Sequence, residues 1–233
     1  MNQPKLSEET FLSSSVLFGV LGKMLYQELG REELDQILKD QLFAEVPFGE
    51  EQEETKRGIA LLSKWTEENS GGLSQEAIED IRHDFLYLFT GVGHPLASPW
   101  ESTYFNDNRM TFEKQTLEVR GWYKQFGLMI ERKNKEPDDN IGYELSFIAH
   151  LAHLGAEAAE SGDNESLGVL TQAMGDFLSE HPLRWAFVWS DRVQKNARSG
   201  FYHGIALLVS GCLKALSLEL EIDLNAIRQC ALA

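Results

Sequence analysis

The chain has 233 residues, of which 42% are hydrophobic and 25% charged, as in a globular protein with a sizeable core. Its net charge of −16 disfavours nucleic acid and anionic membranes as partners and favours basic ones. The N-terminus lacks the order of a signal peptide, and the longest apolar run, 205–212, is shorter than the ~20 residues of a membrane span. Two cysteines, Cys212 and Cys230, form no disulfide framework. We therefore expect a cytoplasmic protein.

Helical periodicity dominates the chain, and neither a period-two alternation nor an Asn-Gly hairpin turn indicates strands. Ser74 is the expected N-cap of one helix. In another, the candidates for inward-facing residues are Leu117, Arg120 or Gly121, and Trp122. The predicted helices cover residues 11–29, 32–42, 51–69, 74–89, 111–126, 139–160, 164–180, 183–197, 201–221 and 224–232. The sequence thus predicts an all-α fold of about nine to ten helices, forming a single domain over 1–233 with a hinge at 128–136.

Residues 91–109 interrupt the helical pattern with Gly, Pro, Ser and Asn at a density that excludes a continuous helix. A structureless segment of roughly 20 residues inside a compact domain is uncommon and often functional. Loops run over the surface, so Trp100 and Tyr104 are candidates for ligand contact.

The stretch 135–145 marks the start of a strong helix. Pro137 ends a charged run, because proline fixes its own φ and pushes the preceding residue out of the helical region. The next two residues are Asp138 and Asp139, and either can cap the following helix by accepting a free backbone N–H.

Motifs of nucleotide-binding loops and hydrolase elbows are absent from the sequence. One metal-like set remains: His150, His153 and Glu157 share a helix face at i, i+3 and i+7. It supports an alternative hypothesis, a metal-dependent helical enzyme. A second alternative is a generic helical protein-interaction module.

Three stretches carry a more specific pattern, in a fixed order. Residues 84–91 read Asp-Phe-Leu-Tyr-Leu-Phe-Thr-Gly, residues 98–104 read Ser-Pro-Trp-Glu-Ser-Thr-Tyr, and residues 136–142 read Glu-Pro-Asp-Asp-Asn-Ile-Gly. Together they resemble the motifs of the TorD/DmsD family, cytoplasmic chaperones that help mature molybdenum-containing oxidoreductases.

The resemblance implies an all-helical protein that catalyses no reaction. We expect no cofactor, and the sequence leaves open whether a nucleotide or the molybdopterin cofactor binds. It implies binding of the twin-arginine leader, or the body, of an apo-oxidoreductase of the dimethyl sulfoxide or trimethylamine N-oxide reductase type, before export. It permits a monomer or a domain-swapped dimer. The implied leader-binding residues are Phe85, Leu88, Phe89, Pro99, Trp100, Ser102, Tyr104, Glu136, Pro137, Asp138, Asp139 and Asn140. Among them, Asp138 and Asp139 are expected to face the leader's arginines.

Asn140 departs from the family pattern, which has histidine at this position. An imidazole titrates near neutral pH, whereas an amide does not. A role that needs a proton here is therefore lost, while hydrogen bonding or helix capping survives.

Overall fold

A computed structural model describes residues 6–91, 94–131 and 135–230. Within these ranges the chain contains helices and no strand beyond one isolated bridge, which confirms the all-α class. The helices are α1 (Glu8–Tyr26), α2 (Arg31–Lys39), α3 (Glu53–Glu68), α4 (Gln75–Asp84), α5 (Lys114–Gln125), α6 (Ile141–Ser161), α7 (Asn164–Glu180), α8 (Ala186–Asn196) and α9 (Gly200–Glu219). A π-helix covers Phe85–Thr90, and 3₁₀-helices cover Glu101–Tyr104 and Pro182–Arg184.

The chain separates into two compact units. The first unit comprises Met1–Tyr26, Pro99–Ala186 and Ala215–Ala233, and the second comprises Gln27–Ser98 and Phe187–Lys214. The expectation of a single domain with a hinge at 128–136 stays a prediction, and residues 132–134 of that hinge lie outside the described residues.

The first unit is organised by the packing of α1 along α6. The two helices approach so closely that a Cβ on Gly142 would lie 2.7 Å from the carbonyl oxygen of Gly22 and 2.7 Å from the amide nitrogen of Tyr26. Real side chains do not tolerate such distances. The glycine at the head of α6 is therefore required by helix packing. Further along, Phe147 and Phe177 form an edge-to-face pair in an aromatic cluster that joins α5, α6 and α7.

The second unit is held together by a buried carboxylate at the end of α4. Asp84 accepts hydrogen bonds from the backbone N–H groups of Arg198 and Ser199 and from the Ser199 hydroxyl, at 2.7–3.0 Å. These donors lie at the start of α9, where backbone N–H groups have no partner within the helix. Asp84 thus fixes α9 to α4 at the point where α4 passes into the π-helix.

Ser74 caps α4 as predicted, because its side chain accepts the N–H of Ala77. The prediction that Leu117 faces inward is wrong, because its relative exposure is 62%. On α5 the buried positions are instead Thr116, Val119 and Tyr123.

The predicted helix 224–232 is wrong over residues 224–230, which form a turn followed by irregular chain, and its remaining residues lie outside the described part of the chain. Glu221 has a positive φ of 55°, which ends the helical path, and the side chain of Asp223 accepts the N–H of Asn225. Such local bonds compete with helix formation.

Helix α9 is longer and more apolar than the run 205–212 suggested, since Gly200–Glu219 passes the length and composition test for a membrane span. However, 83% of its most apolar window is buried inside the protein, as in the core helix of a globular fold.

The helix crossing yields a stability prediction. We expect Gly142→Ala to destabilise the protein by about 1–3 kcal/mol, because the added methyl group must displace α1. The matched control is Gly175→Ala in α7, where no atom lies within 4 Å of the added Cβ. There we expect no loss, or a gain of up to about 1 kcal/mol from helix propensity. Urea unfolding monitored by circular dichroism measures both values, and equal effects of the two substitutions would contradict the crossing.

Candidate peptide-binding site

The loop that carries Trp100 is bound by backbone hydrogen bonds to the segment preceding α6. Trp100 and Asn140 form an antiparallel bridge. On either side of it, the N–H of Glu101 donates to the carbonyl of Asp139 at 2.9 Å, and the N–H of Ile141 donates to the carbonyl of Pro99 at 2.8 Å. Two of the three motif stretches therefore form one connected element in the first unit.

Asp139 ties this element to α5. Its carboxylate accepts the N–H of Ser102 at 2.7 Å and the hydroxyl of Thr116 at 2.6 Å, and its side chain is fully buried. Its neighbour Asp138 is buried as well and forms a salt bridge with Arg120 at 2.6 Å. Both carboxylates are thus occupied by internal partners, and in this conformation neither is open to a ligand's arginine.

Asn140, not an aspartate, is the N-cap of α6. Its side-chain oxygen accepts the N–H of Gly142 at 2.8 Å. The prediction that Asp138 or Asp139 caps the helix is wrong, because the helix begins one residue later and both carboxylates bind elsewhere. The residue that replaces the family histidine therefore performs a capping role that an amide can fill.

A buried polar cluster lies beneath this element. A hydrogen bond of 2.8 Å joins the carboxylate of Glu101 to Nδ1 of His181. The carboxylate of Glu144 accepts the indole N–H of Trp185 at 3.2 Å. Burial raises the pKa of Glu101, as does the charge of Asp139, while His181 opposes the increase. Burial raises the pKa of Glu144 far more, with further contributions from the charges of Glu101 and Asp139. Protonation of Glu144 is the favoured response to this burial.

The sequence missed this cluster. The one local signal was Glu144, an acid set between Tyr143 and Leu145 on an apolar helix face. A carboxylate in such a position requires a buried partner, but nothing in the local pattern identifies residues as distant as His181 or Trp185.

Most of the predicted leader-binding residues are buried. In the first unit, Trp100 and Glu136 remain partly exposed, whereas the others are enclosed: Pro99, Ser102, Tyr104, Pro137, Asp138, Asp139 and Asn140. Glu136 accepts the hydroxyl of Tyr143 at 3.0 Å.

The remaining three predicted residues belong to the second unit. Phe85 is half-buried, while Leu88 and Phe89 pack into that unit's core. Phe89 lies 5.3 Å from the ring of Tyr202, edge to face, and stacks on Trp189. Leu88 and Phe89 therefore support the π-helix from inside and do not offer an open apolar wall.

The alternative metal site has little support. His153 and Glu157 are 3.6 Å apart and more than half exposed. No group of three or more His, Cys, Asp or Glu residues in the described ranges is arranged to hold a metal ion.

A cleft of about 520 Å³ borders His181 in the first unit. Its charges are mixed: Lys114 pairs with Glu118 at 2.9 Å, and Glu180 accepts the indole N–H of Trp122. The lining residues are Lys114, Glu118, Gly121, Trp122, Gln125, Ser179, Glu180, His181, Arg184, Ala226, Ile227 and Arg228.

The buried pair can be tested against an exposed one. We expect His181→Ala to destabilise the protein by about 3 kcal/mol, because Glu101 is left buried without its partner. The control is His153→Ala, which removes a histidine from the exposed pair with Glu157 and should cost at most about 1 kcal/mol. Chemical denaturation measures both, and similar losses would contradict a special role for the buried pair.

Glu144 should make stability depend on pH. The folded state raises its pKa, so the folded protein binds more protons and stability falls as pH rises above the ordinary glutamate pKa of about 4.3. We expect Glu144→Gln to remove this component, whose slope is at most about 1.4 kcal/mol per pH unit.

Urea unfolding of both proteins between weakly acidic and neutral pH measures the difference. Glu160→Gln, which changes an exposed acid on the same helix, should follow the original profile. Parallel profiles for the original protein and Glu144→Gln would show that burial of this carboxyl has no such effect.

Comparison with known proteins places these observations in a family. The model described as nitrate reductase delta subunit matches residues 49–190, which is more than half of the chain. The probable Tat proofreading chaperone DmsD of Haemophilus influenzae is 27% identical over 221 residues, covering 95% of this chain and 98% of that protein.

Two other relatives match over shorter regions. The chaperone protein TorD of Vibrio cholerae is 31% identical over 134 residues, covering 58% of this chain and 59% of that protein. The perchlorate reductase assembly chaperone protein of Dechloromonas aromatica is 26% identical over 153 residues, covering 64% of this chain and 66% of that protein. The chain therefore belongs to the nitrate reductase delta subunit family, and its similarity to DmsD and TorD confirms the TorD/DmsD membership predicted from the three motifs.

Proposed function

We propose that the protein is a cytoplasmic chaperone for a molybdopterin-dependent oxidoreductase of the dimethyl sulfoxide or trimethylamine N-oxide reductase type. It binds the twin-arginine leader, or the body, of the apo-enzyme and delays export until the cofactor is inserted. The names of its relatives, a Tat proofreading chaperone and a reductase assembly chaperone, support this role. The function requires binding and no turnover.

The geometric observation that carries the proposal is the connected element formed by the Trp100 loop and the head of α6. Two backbone bonds and the carboxylate of Asp139 hold this element in one conformation. A preformed surface loses less conformational freedom when a flexible leader binds to it. From this element Trp100 and Glu136 remain partly exposed.

We assign the contacts in the first unit to these two residues. Trp100 is partly exposed and offers part of its aromatic ring, while its indole N–H is buried. Glu136 offers a carboxylate to a basic or hydrogen-bond-donating group of the ligand, where a charge-assisted hydrogen bond is favourable. Asp138, Asp139 and Asn140 act indirectly, by holding the segment in place.

The protein's net charge supports the choice of a basic ligand. A value of −16 attracts a peptide with two adjacent arginines and speeds its capture at low ionic strength. Salt screens such attraction, with a Debye length of about 10 Å at 0.1 M.

Isothermal titration calorimetry with synthetic leaders of the two reductase types tests the function. We expect binding that weakens as salt rises and weakens further when both arginines of the peptide are replaced by glutamine. The absence of binding to every leader would remove the proposal.

A pair of tryptophan variants tests the site. We expect Trp100→Ala to lower leader affinity on the order of tenfold, because an aromatic anchor is lost. The matched control is Trp122→Ala, which removes another half-buried tryptophan of the first unit and should leave affinity within about twofold. Unchanged binding by a folded Trp100→Ala protein would favour a generic interaction module.

A further inference from the structure

The second unit presents an exposed apolar patch whose residues were not among the predicted leader-binding residues, although two of them lie in the first motif stretch, 84–91. Leu86 is 46% exposed, Tyr87 is 50% exposed and Leu96 is 48% exposed. The N–H of Leu96 donates to the carbonyl of Tyr87 at 3.1 Å, so the three residues lie beside one another on the π-helix and the segment that follows it. We call these residues the 86/87/96 patch.

The backbone beneath the patch is unusual. Residues Phe85–Thr90 form a π-helix, a rare conformation that occurs frequently at functional sites. Its last carbonyls are capped by the returning chain, since Ala97 donates to Leu88 in the same way as Leu96 donates to Tyr87. Leu88 and Phe89 are buried below. The exposed side chains thus stand on a supported surface and not on a free loop.

The preceding helix continues the patch with acidic side chains. Glu79 and Asp80 on α4 are exposed, and no salt bridge joins either to a basic residue in the described part of the chain. Leu86 and Tyr87 follow them by seven residues, which is two helical turns along the same face and about 10 Å.

The charge between the two groups is largely balanced. Arg82 forms a salt bridge with Glu28 at 2.7 Å, and His83 stacks on Tyr87 with ring centroids 4.1 Å apart. One helix face therefore runs from exposed carboxylates without a salt bridge in the described part of the chain, past a paired arginine, to exposed apolar side chains. The Glu79 carboxylate accepts one hydrogen bond, from the side-chain amide of Gln75 at 3.0 Å.

We infer that this face binds the leader peptide itself, with the arginines over Glu79 and Asp80 and the apolar segment over the 86/87/96 patch. The complementarity fits a peptide that carries a basic group and an apolar group about 10 Å apart, which is three extended residues or two helical turns. The inference rests on the proposed function and adds to it the residues, the direction and the spacing of recognition in the second unit.

Two double variants, each with a matched control, test the inference in leader titrations. Leu86→Ser with Leu96→Ser removes apolar contact, and its control is Leu117→Ser, an exposed leucine of the first unit. Glu79→Gln with Asp80→Asn removes two acids, and its control is Glu32→Gln with Asp35→Asn on the exposed side of α2.

We expect each test variant to lower affinity on the order of tenfold and each control to change it by less than about twofold. The loss for the acidic variant should shrink as salt rises, whereas the loss for the apolar variant should persist. All four variants change exposed side chains, so circular dichroism should show an unaltered fold.

Changing the leader as well as the protein completes a double-mutant cycle for each test variant. A leader with serines in its apolar segment should bind the apolar variant as well as it binds the original protein. A leader without its arginines should bind the acidic variant as well as it binds the original protein. If the original protein binds leaders and the test variants match their controls, the inference is wrong and the proposed function stands. If the original protein binds no leader, the proposed function itself fails.

Discussion

The buried carboxylate of Asp139 fixes the positions of three segments of the first unit. It accepts the N–H of Ser102 and the hydroxyl of Thr116, and its own backbone carbonyl accepts the N–H of Glu101. One residue therefore joins the 3₁₀ segment, α5 and the start of α6. A carboxylate without solvent is tolerated only when its oxygens are hydrogen-bonded. The positions of these three segments are thus coupled, and together they fix the orientation of Trp100.

Asp139 is buried beside two other acidic side chains, Glu101 and Glu144, and this proximity is electrostatically unfavourable. Burial raises the pKa of both Glu101 and Glu144; the charge of Asp139 raises both further, and the charge of Glu101 adds to the increase for Glu144. The two glutamates accommodate their burial in different ways. Glu101 has His181 as a partner, while Glu144 has only an indole donor and is stabilised in its neutral form. An apolar cluster of the same volume would often be as stable, so the gain from these polar groups lies in fixing which segments meet.

Much of the fold follows from the sequence because helical periodicity and caps are local. Ser74 and the span of α7 are examples, since both depend on residues within a few positions. The failures depend on distant partners. The sequence predicted Asp138 as a helix cap, but in the structure its carboxylate binds Arg120, which lies eighteen positions earlier in the chain. Leu117 fitted the apolar stripe of α5 but is exposed, since burial is decided by whatever packs on the helix. The motif resemblance identified the family, yet it could not separate buried motif residues from exposed ones.

That separation has a physical consequence for specificity. Within one short stretch, Leu88 and Phe89 are fixed by the core, because a change in volume there costs packing energy. Leu86 and Tyr87 face water, so replacing them costs the fold little. The same division holds at the other motif segments, where Asp139 is enclosed and Trp100 is partly open. A fold built in this way can keep its buried polar ties and alter its exposed residues independently. Under the proposed function, the exposed positions are the ones that would set preference for one leader over another, and the enclosed motif residues would set the geometry in which they are presented.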